Sequence, residues 1–344
     1  MYMEVFEELA ELSTTVGKQP DLVQSGGGNT SIKFGSGLMA IKASGCRLSE
    51  MTAEKGFVVV NRQAVKEYFD RVDMSSGTDF EKDIVEFVNN NIVPIAGIEK
   101  MRPSVEAPFH SFLKKVVIHS HSVYANILCC SLEGEALASE IFSKDSFVWI
   151  PYVNPGFMLS WVIKQAVDER LKETGIFPKV IFMQNHGLIV SEDTSSECTA
   201  LHDQVNRKII DYFKLPMPYP TPSIKRIGDR LYKSTGDIVP TMFDKTKANY
   251  EYLDRYGLYP DQLVYLNKSF ALKDQKILVE DNGDVLYNAS EREASGMEDT
   301  LSAYLYVLNA LSQLKLQVSV LTDLQKAFIY GWEIEQYRLK QAGG

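Results

Sequence analysis

The chain has 344 residues, 45% hydrophobic and 24% charged, a composition ordinary for a globular protein and a length sufficient for two cores. Its formal net charge is −9 and no basic stripe is present, which excludes a nucleic-acid binder of the usual kind but leaves room for a small phosphorylated substrate, because an anion site needs only local positive potential. No run approaches the roughly 18 apolar residues of a membrane span, residues 1–16 read as an acidic amphipathic stretch rather than a signal peptide, and Cys46, Cys129, Cys130 and Cys198 show no Cys-x-x-Cys spacing, so a cytoplasmic protein with reduced thiols is expected.

In chain order, apolar spacing predicts a helix over 5–16. Ser25-Gly26-Gly27-Gly28-Asn29 follows, and short alternating runs at 30–34, 38–42 and 57–61 read as strands. Helical patterns occupy 79–90, 105–113, 123–130 and 157–172. Apolar, β-branched runs at 116–119 and 180–183 read as strands between them, and a further helix is predicted over 196–213. The sum is a mixed α/β unit with a central sheet covered by helices. Pro216-Met217-Pro218-Tyr219-Pro220-Thr221-Pro222 holds four prolines in seven residues, which predicts a stiff linker and a boundary between 1–215 and 216–344. The second unit is expected to be a small α/β appendage. Strands are predicted at 263–266 and 276–280, and a hairpin at Asn282-Gly283 leads into 285–287. Helices are predicted near 298–314 and 323–339, the second with a Thr322-x-x-Gln325 capping box. This unit contains no histidine and no cysteine. Its acids Glu280, Asp281 and Asp284 read as a solvated turn, and a docking or assembly role is expected of the unit as a whole.

Three of the five histidines lie in two similar segments, Val116-Val117-Ile118-His119-Ser120-His121 and Val180-Ile181-Phe182-Met183-Gln184-Asn185-His186-Gly187. Residues i and i+2 of a strand share a face, so His119 and His121 can point the same way. Two imidazoles from one strand and a third from another make an open three-His site of the catalytic zinc kind; cobalt, nickel or iron would also accept nitrogen donors. The bland alternative is a set of core histidines satisfied by hydrogen bonds.

Gly26-Gly27-Gly28-Asn29-Thr30-Ser31 precedes a strand. Glycines let successive N–H groups converge on an anion, and Asn29 and Ser31 add side-chain donors; a plain turn accounts for the same residues. The loop has neither P-loop spacing nor the following helix of a dinucleotide site. A second small turn, Ala43-Ser44-Gly45, ends the run 38–42 and can face the first. In Pro103-Ser104-Val105-Glu106-Ala107-Pro108-Phe109-His110, Ser104 is placed as an N-cap and Glu106 in the first turn, where the helix dipole favours its charge. The functional reading makes Glu106 a general base beside the metal. His110, one turn on, reads as a packing or supporting residue rather than a fourth ligand.

In order, Gly27-Gly28-Asn29-x-Ser31, Ser44-Gly45, Pro103-Ser104-x-Glu106, His119-x-His121 and Asn185-His186-Gly187-Leu188 resemble the class II aldolase/adducin superfamily over about residues 1–213. The likeness is to fuculose- and rhamnulose-phosphate aldolases, and to the aldolase half of bifunctional rhamnulose-phosphate aldolase/dehydrogenases. Arg102-Pro103-Ser104-Val105-Glu106 and Pro151-Tyr152-Val153-Asn154-Pro155-Gly156-Phe157 add to the latter resemblance. It implies a central mixed or antiparallel sheet covered by helices. It implies a zinc ion, or another divalent transition metal, on His119, His121 and His186, with Glu106 as base and occasional extra ligand. It implies a phosphate pocket from Gly28, Asn29, Ser31, Ser44, Gly45 and Ser104. The implied reaction is metal-dependent cleavage or formation of a C–C bond in a ketose phosphate or related hydroxy-ketone. It runs through an enediolate and gives dihydroxyacetone phosphate plus an aldehyde. A homo-oligomer, a tetramer, is implied, with an acid tyrosine often drawn from a neighbouring subunit.

Two departures stand out. Val105 replaces the second serine of the fuculose type's Pro-Ser-Ser-Glu, removing a phosphate donor. The fuculose-type tyrosine segment has no counterpart between Leu137 and Trp149, leaving Tyr152 as the in-chain candidate. The alternatives are a sugar-phosphate epimerase using the same retro-aldol step, which Glu rather than Asp at position 106 disfavours, and a non-catalytic adducin-like binding protein, which the histidines disfavour.

Overall fold

The computed structural model describes residues 2–143, 146–243, 250–270 and 275–331. Seven strands form one sheet: Asn29–Phe34 (β1), Leu38–Lys42 (β2), Phe57–Asn61 (β3), Val116–Ser120 (β4), Phe147–Ile150 (β5), Val180–Met183 (β6) and Gly187–Glu192 (β7). Their order is β3-β2-β1-β4-β7-β6-β5, and every neighbouring pair is antiparallel except β5–β6. This is the mixed α/β sheet expected.

The period-2 alternation of these strands feeds two cores. Ile32, Phe57, Val59, Val116, Ile118, Phe182, Leu188 and Val190 share one buried cluster with Met3–Gly17 (α1), Val123–Cys129 (α5) and Ser195–Phe213 (α8). Their neighbours Met39, Ile41, Val58, Val60, Val117, Ile181, Met183 and Ile189 face the opposite layer. That layer is built from Arg62–Asp70 (α2), Phe80–Asn90 (α3) and Phe157–Thr174 (α7). Between α3 and β4 stands only a four-residue helix, Ala107–His110 (α4), shorter than the run predicted over 105–113; Gly134–Ile141 (α6) packs beside α5 and α8. On the second face β1 is polar rather than apolar. Its Asn29, Ser31 and Lys33 are all buried, which marks this part of the interior as something other than core.

Residues 216–331 form an antiparallel sheet of Ile224–Gly228 (β8), Leu231–Ser234 (β9), Ile277–Val279 (β10) and Val285–Asn288 (β11), in the order β10-β11-β9-β8. A long helix, Glu291–Gln313, lies against α5, and its Tyr304, Val307 and Leu311 join the same buried cluster as Tyr124 and Ile127. Its start is fixed by a reciprocal capping box between Ser290 and Glu293. In the proline-rich segment Tyr219 is buried, its ring 5.1 Å from that of Tyr306.

Several expectations need correction. Residues 263–266 are not a strand but part of a continuous helical run, Pro260–Gln262, Leu263–Asn267 and Lys268–Phe270. Four successive apolar residues buried on all sides carry no period, so helix and strand look alike there; Pro260 at the first helical position is the signal that decides it. Ser104 is not the residue at the head of α4. Glu106 is, while Ser104 takes the Glu106 N–H on its hydroxyl (3.3 Å) and the Ala107 N–H on its carbonyl (3.0 Å). The final helix is Asp323–Gly331, with both bonds of the Thr322–Gln325 box present; the predicted remainder, 332–339, lies outside the described residues. The hairpin between β10 and β11 turns with Gly283 at φ +93°.

Candidate metal centre

The three histidines arrive from two neighbouring strands. His119 is the fourth residue of β4 and His121 follows its end, so both project to the polar face. His186 sits in the tight turn between β6 and β7, where Met183 pairs with Gly187 and Asn185 takes φ +53°. Gly187 has to be glycine, because a Cβ there would collide with the Ser120 carbonyl. The rings stand 4.9, 5.0 and 5.3 Å apart, all buried, with one nitrogen from each within 4.8 Å of the others.

Hydrogen bonds set which nitrogens face inward. His119 Nδ1 donates to the Leu188 carbonyl (3.1 Å), and His121 Nδ1 donates to Asp261 Oδ2 (2.7 Å). Their Nε2 atoms then carry lone pairs and lie 3.2 Å apart, an arrangement that leaves two acceptors facing each other. His186 Nε2 lies 3.2 Å from Glu106 Oε1, and His119 Nε2 lies 3.5 Å from Glu106 Oε2. Burial drives the His119 pKa down to about 3 despite the Glu106 charge beside it, so the ring is neutral at physiological pH. Three imidazoles, two of them with Nε2 turned inward, plus one carboxylate, are a donor set that fits a divalent cation.

Glu106 is held from behind. Asn29, paired opposite His119 across β1 and β4, donates its amide to Glu106 Oε2 (2.6 Å). The Asn29 carbonyl meets His110 Nε2, and His110 Nδ1 meets the Ser31 hydroxyl at 2.7 Å. Burial penalises the Glu106 charge, but the surrounding imidazoles outweigh it and hold the carboxyl well below its usual range. Burial, and then Lys33 nearby, keep His110 neutral. Both His110 ring nitrogens are thus engaged, one by Asn29 and one by Ser31.

A small cleft opens beside these residues, with Glu106, His121 and His186 at one side. Gly28, Asn29, Ser44, Gly45 and Ser104 line the rest, joined by Lys42. Ser31 does not reach it: the residue is fully buried and its hydroxyl is engaged by His110 and by Lys33 Nζ (3.4 Å). Tyr152 does not line the cleft; it packs against an apolar cluster of Leu263, Val264, Tyr265, Leu321 and Ile329. Two cleft residues escape a reading of local motifs. Lys42, whose Nζ donates to the Gly26 carbonyl at 2.6 Å, looks in sequence like the polar end of a strand. Asp261 is 140 positions from His121, and no local pattern announces it.

Residues 7–208 match the family described as Class II Aldolase and Adducin N-terminal domain. A relative from Bacillus subtilis (strain 168), named "Uncharacterized oxidoreductase YuxG", is 26% identical over 282 residues, which are 76% of this chain and 38% of that protein. The chain therefore spans well under half of that relative's length. Among solved structures, the N-terminal class II aldolase domain of a conserved protein from Thermoplasma acidophilum is 25% identical, with TM-score 0.49, covering 60% of this chain and 92% of that one. L-fuculose-1-phosphate aldolase from Thermus thermophilus is 16% identical, with TM-score 0.39, covering 62% and 95%.

Proposed function

The chain belongs to the class II aldolase and adducin family, and on that premise we propose that it is a metal-dependent aldolase. Its reaction would be the reversible cleavage of a ketose phosphate, or a related hydroxy-ketone, into dihydroxyacetone phosphate and an aldehyde. The observation that carries this reading is the convergence of His119, His121 and His186 on one point, with Glu106 against two of the rings and an open cleft alongside.

In this reading the three imidazoles hold the ion, and zinc is the first choice for three nitrogen donors. A divalent ion there supplies Lewis-acid polarisation of the substrate's oxygens. Glu106 does the proton work at C3 of the dihydroxyacetone phosphate unit. In cleavage the C4 hydroxyl gives its proton to the acid tyrosine, present as tyrosinate, as it becomes the aldehyde carbonyl; the C3–C4 bonding pair stays on C3, and Glu106, having taken one proton from solvent, delivers it to C3. In synthesis Glu106 removes the same C3 proton. The Asn29 amide keeps the carboxylate aimed during both steps. Lys42, Ser44, Gly45 and Ser104 offer the anion-binding side of the cleft, with Gly28 and Asn29 at its edge. The proposal includes a cytoplasmic homo-oligomer, a tetramer, whose neighbouring subunit contributes the acid tyrosine that Tyr152, packed against its apolar cluster, is poorly placed to be.

Elemental analysis of the purified chain, followed by a product screen with dihydroxyacetone phosphate and a panel of aldehydes, tests this. The expected result is about one divalent ion per chain, lost in His119→Ala, His121→Ala and His186→Ala, and a new C–C bond with at least one aldehyde. Full metal content in all three variants, or no condensation by loaded protein, overturns it.

A further inference from the structure

The segment that closes over the histidines comes from the far end of the chain. Asp261, in the short turn Pro260–Gln262, is 1% exposed, and its Oδ2 lies 2.7 Å from His121 Nδ1. Among the described residues of 7–208, none shows a hydrogen bond to His121 Nδ1. The sequence makes room for it. A Cβ at Gly27 would run into Asp261 Oδ2 and lie 2.7 Å from His121 Nδ1, and a Cβ at Gly26 would lie 2.9 Å from the Tyr265 hydroxyl. The glycine loop and the 261–265 segment are thus in direct contact, with little room for a side chain at Gly27. The same segment is tied to the other histidine turn. Asn185, next to His186, donates its amide to the Leu258 carbonyl (2.8 Å) and the Ser319 carbonyl (2.9 Å), and accepts from the Ser319 hydroxyl (2.8 Å).

We propose that Asp261 is a positioning residue for the metal centre, and that residues 258–261 together with Ser319 complete that centre from within the same chain. A carboxylate on the outer nitrogen of a histidine fixes the tautomer, holds the ring plane and raises the basicity of the inner nitrogen. His121 is thereby kept with its proton on Nδ1 and its Nε2 lone pair beside the His119 and His186 nitrogens. Asn185 does the matching work on the second turn, anchoring the backbone that carries His186. The C-terminal part is on this account a structural half of the site and no mere appendage. The inference rests on the metal-site reading above, and on the packing of the segment against Gly27.

Competition titration of Co2+ against a chromophoric chelator, using the full chain, gives the first test. Loss of such a partner costs about 10–100-fold in metal affinity, so Asp261→Ala should fall by that factor. Asp261→Asn, which keeps an acceptor oxygen without the charge, should fall between Ala and wild type. Equal affinity in all three proteins overturns the proposal. The second test needs no variant at Asp261. Long-range 1H–15N correlation spectra of metal-free wild type, with the ring assigned by its loss in His121→Ala, should show His121 protonated on Nδ1; protonation on Nε2 overturns the proposal even if Asp261→Ala does not fold. Wild type that fails to bind Co2+ at all would undo the metal reading itself, while the His121 tautomer in the same sample still decides what Asp261 does.

Discussion

In the proposed reaction Glu106 carries the proton transfer, and its carboxylate is defined by what surrounds it. One oxygen faces His186, and the other receives the Asn29 amide and lies near His119. The relay behind it, Asn29 to His110 to Ser31, is wholly buried, so each member is fixed in turn. Asn29→Ala should leave metal content unchanged while kcat falls roughly 10–100-fold, because small misplacements of a reacting group are costly; elemental analysis beside turnover measures both, and an unchanged kcat would show that Glu106 needs no such support. The ligand candidates themselves were legible in the sequence. Strand period places His119 and His121 on one face, and both apolar runs end at their histidines. Glu106 and His110 were singled out with the right spacing but the wrong register, since the helix is only Ala107–His110 and Glu106 stands at its head rather than in its first turn. Their partners were not legible. Asn29 looked like an anion donor because its loop is glycine-rich, yet its amide is spent on Glu106 and Ser104. Lys42 and Asp261 stand apart from the motifs, and only the tertiary fold brings them to the cleft.

At the scale of elements, five strands of the main sheet were legible from alternation or β-branched runs, whereas β5 and β7, each with a short apolar run that carries no period, were not. Nor was the helical run over residues 260–270, since burial on every side erases the period. The second sheet offers a test of its own. Glu298 of the long helix is buried under it, accepting from the Tyr287 hydroxyl (2.6 Å) and the Ser234 hydroxyl (3.1 Å). Burial raises its pKa from 4.5 to about 7, and burial likewise raises that of its neighbour Asp299 to about 6. A raised folded-state value means that the folded chain holds extra protons between about pH 4 and 7. The stabilising contribution is complete below the unfolded values and is lost as pH rises through the folded ones. For Glu298 alone the swing is on the order of 3 kcal/mol. Thermal midpoints should therefore fall between pH 5 and 8, and Glu298→Gln should flatten most of that slope, leaving the part due to Asp299. A Glu298→Gln protein with an unaltered slope would mean that the carboxyl is not the proton carrier.

At the scale of the molecule, the proline-rich segment joins parts that share one interior. Tyr306 of the long helix packs against both Tyr124 of α5 and Tyr219 of that segment, and the buried cluster runs without a break from Phe6 to Leu311. Such continuity predicts one cooperative transition in calorimetry for the full chain; two well-separated transitions would mean that residues 216–344 unfold on their own. The prolines suggested separability because composition reports local stiffness and says nothing of what a stiff segment packs against. The same intimacy brings Asp261 to the histidines and ties the C-terminal part to whatever chemistry occurs there. Exchange of the C3 proton of dihydroxyacetone phosphate in D2O, followed by NMR, tests the central claim most directly. Metal-loaded protein should incorporate deuterium at C3, metal-free protein should not, and loaded Glu106→Gln should be slower by about 10²–10⁴-fold. Fully loaded wild type that leaves C3 unexchanged, or a Glu106→Gln variant that exchanges at the wild-type rate, would contradict the account.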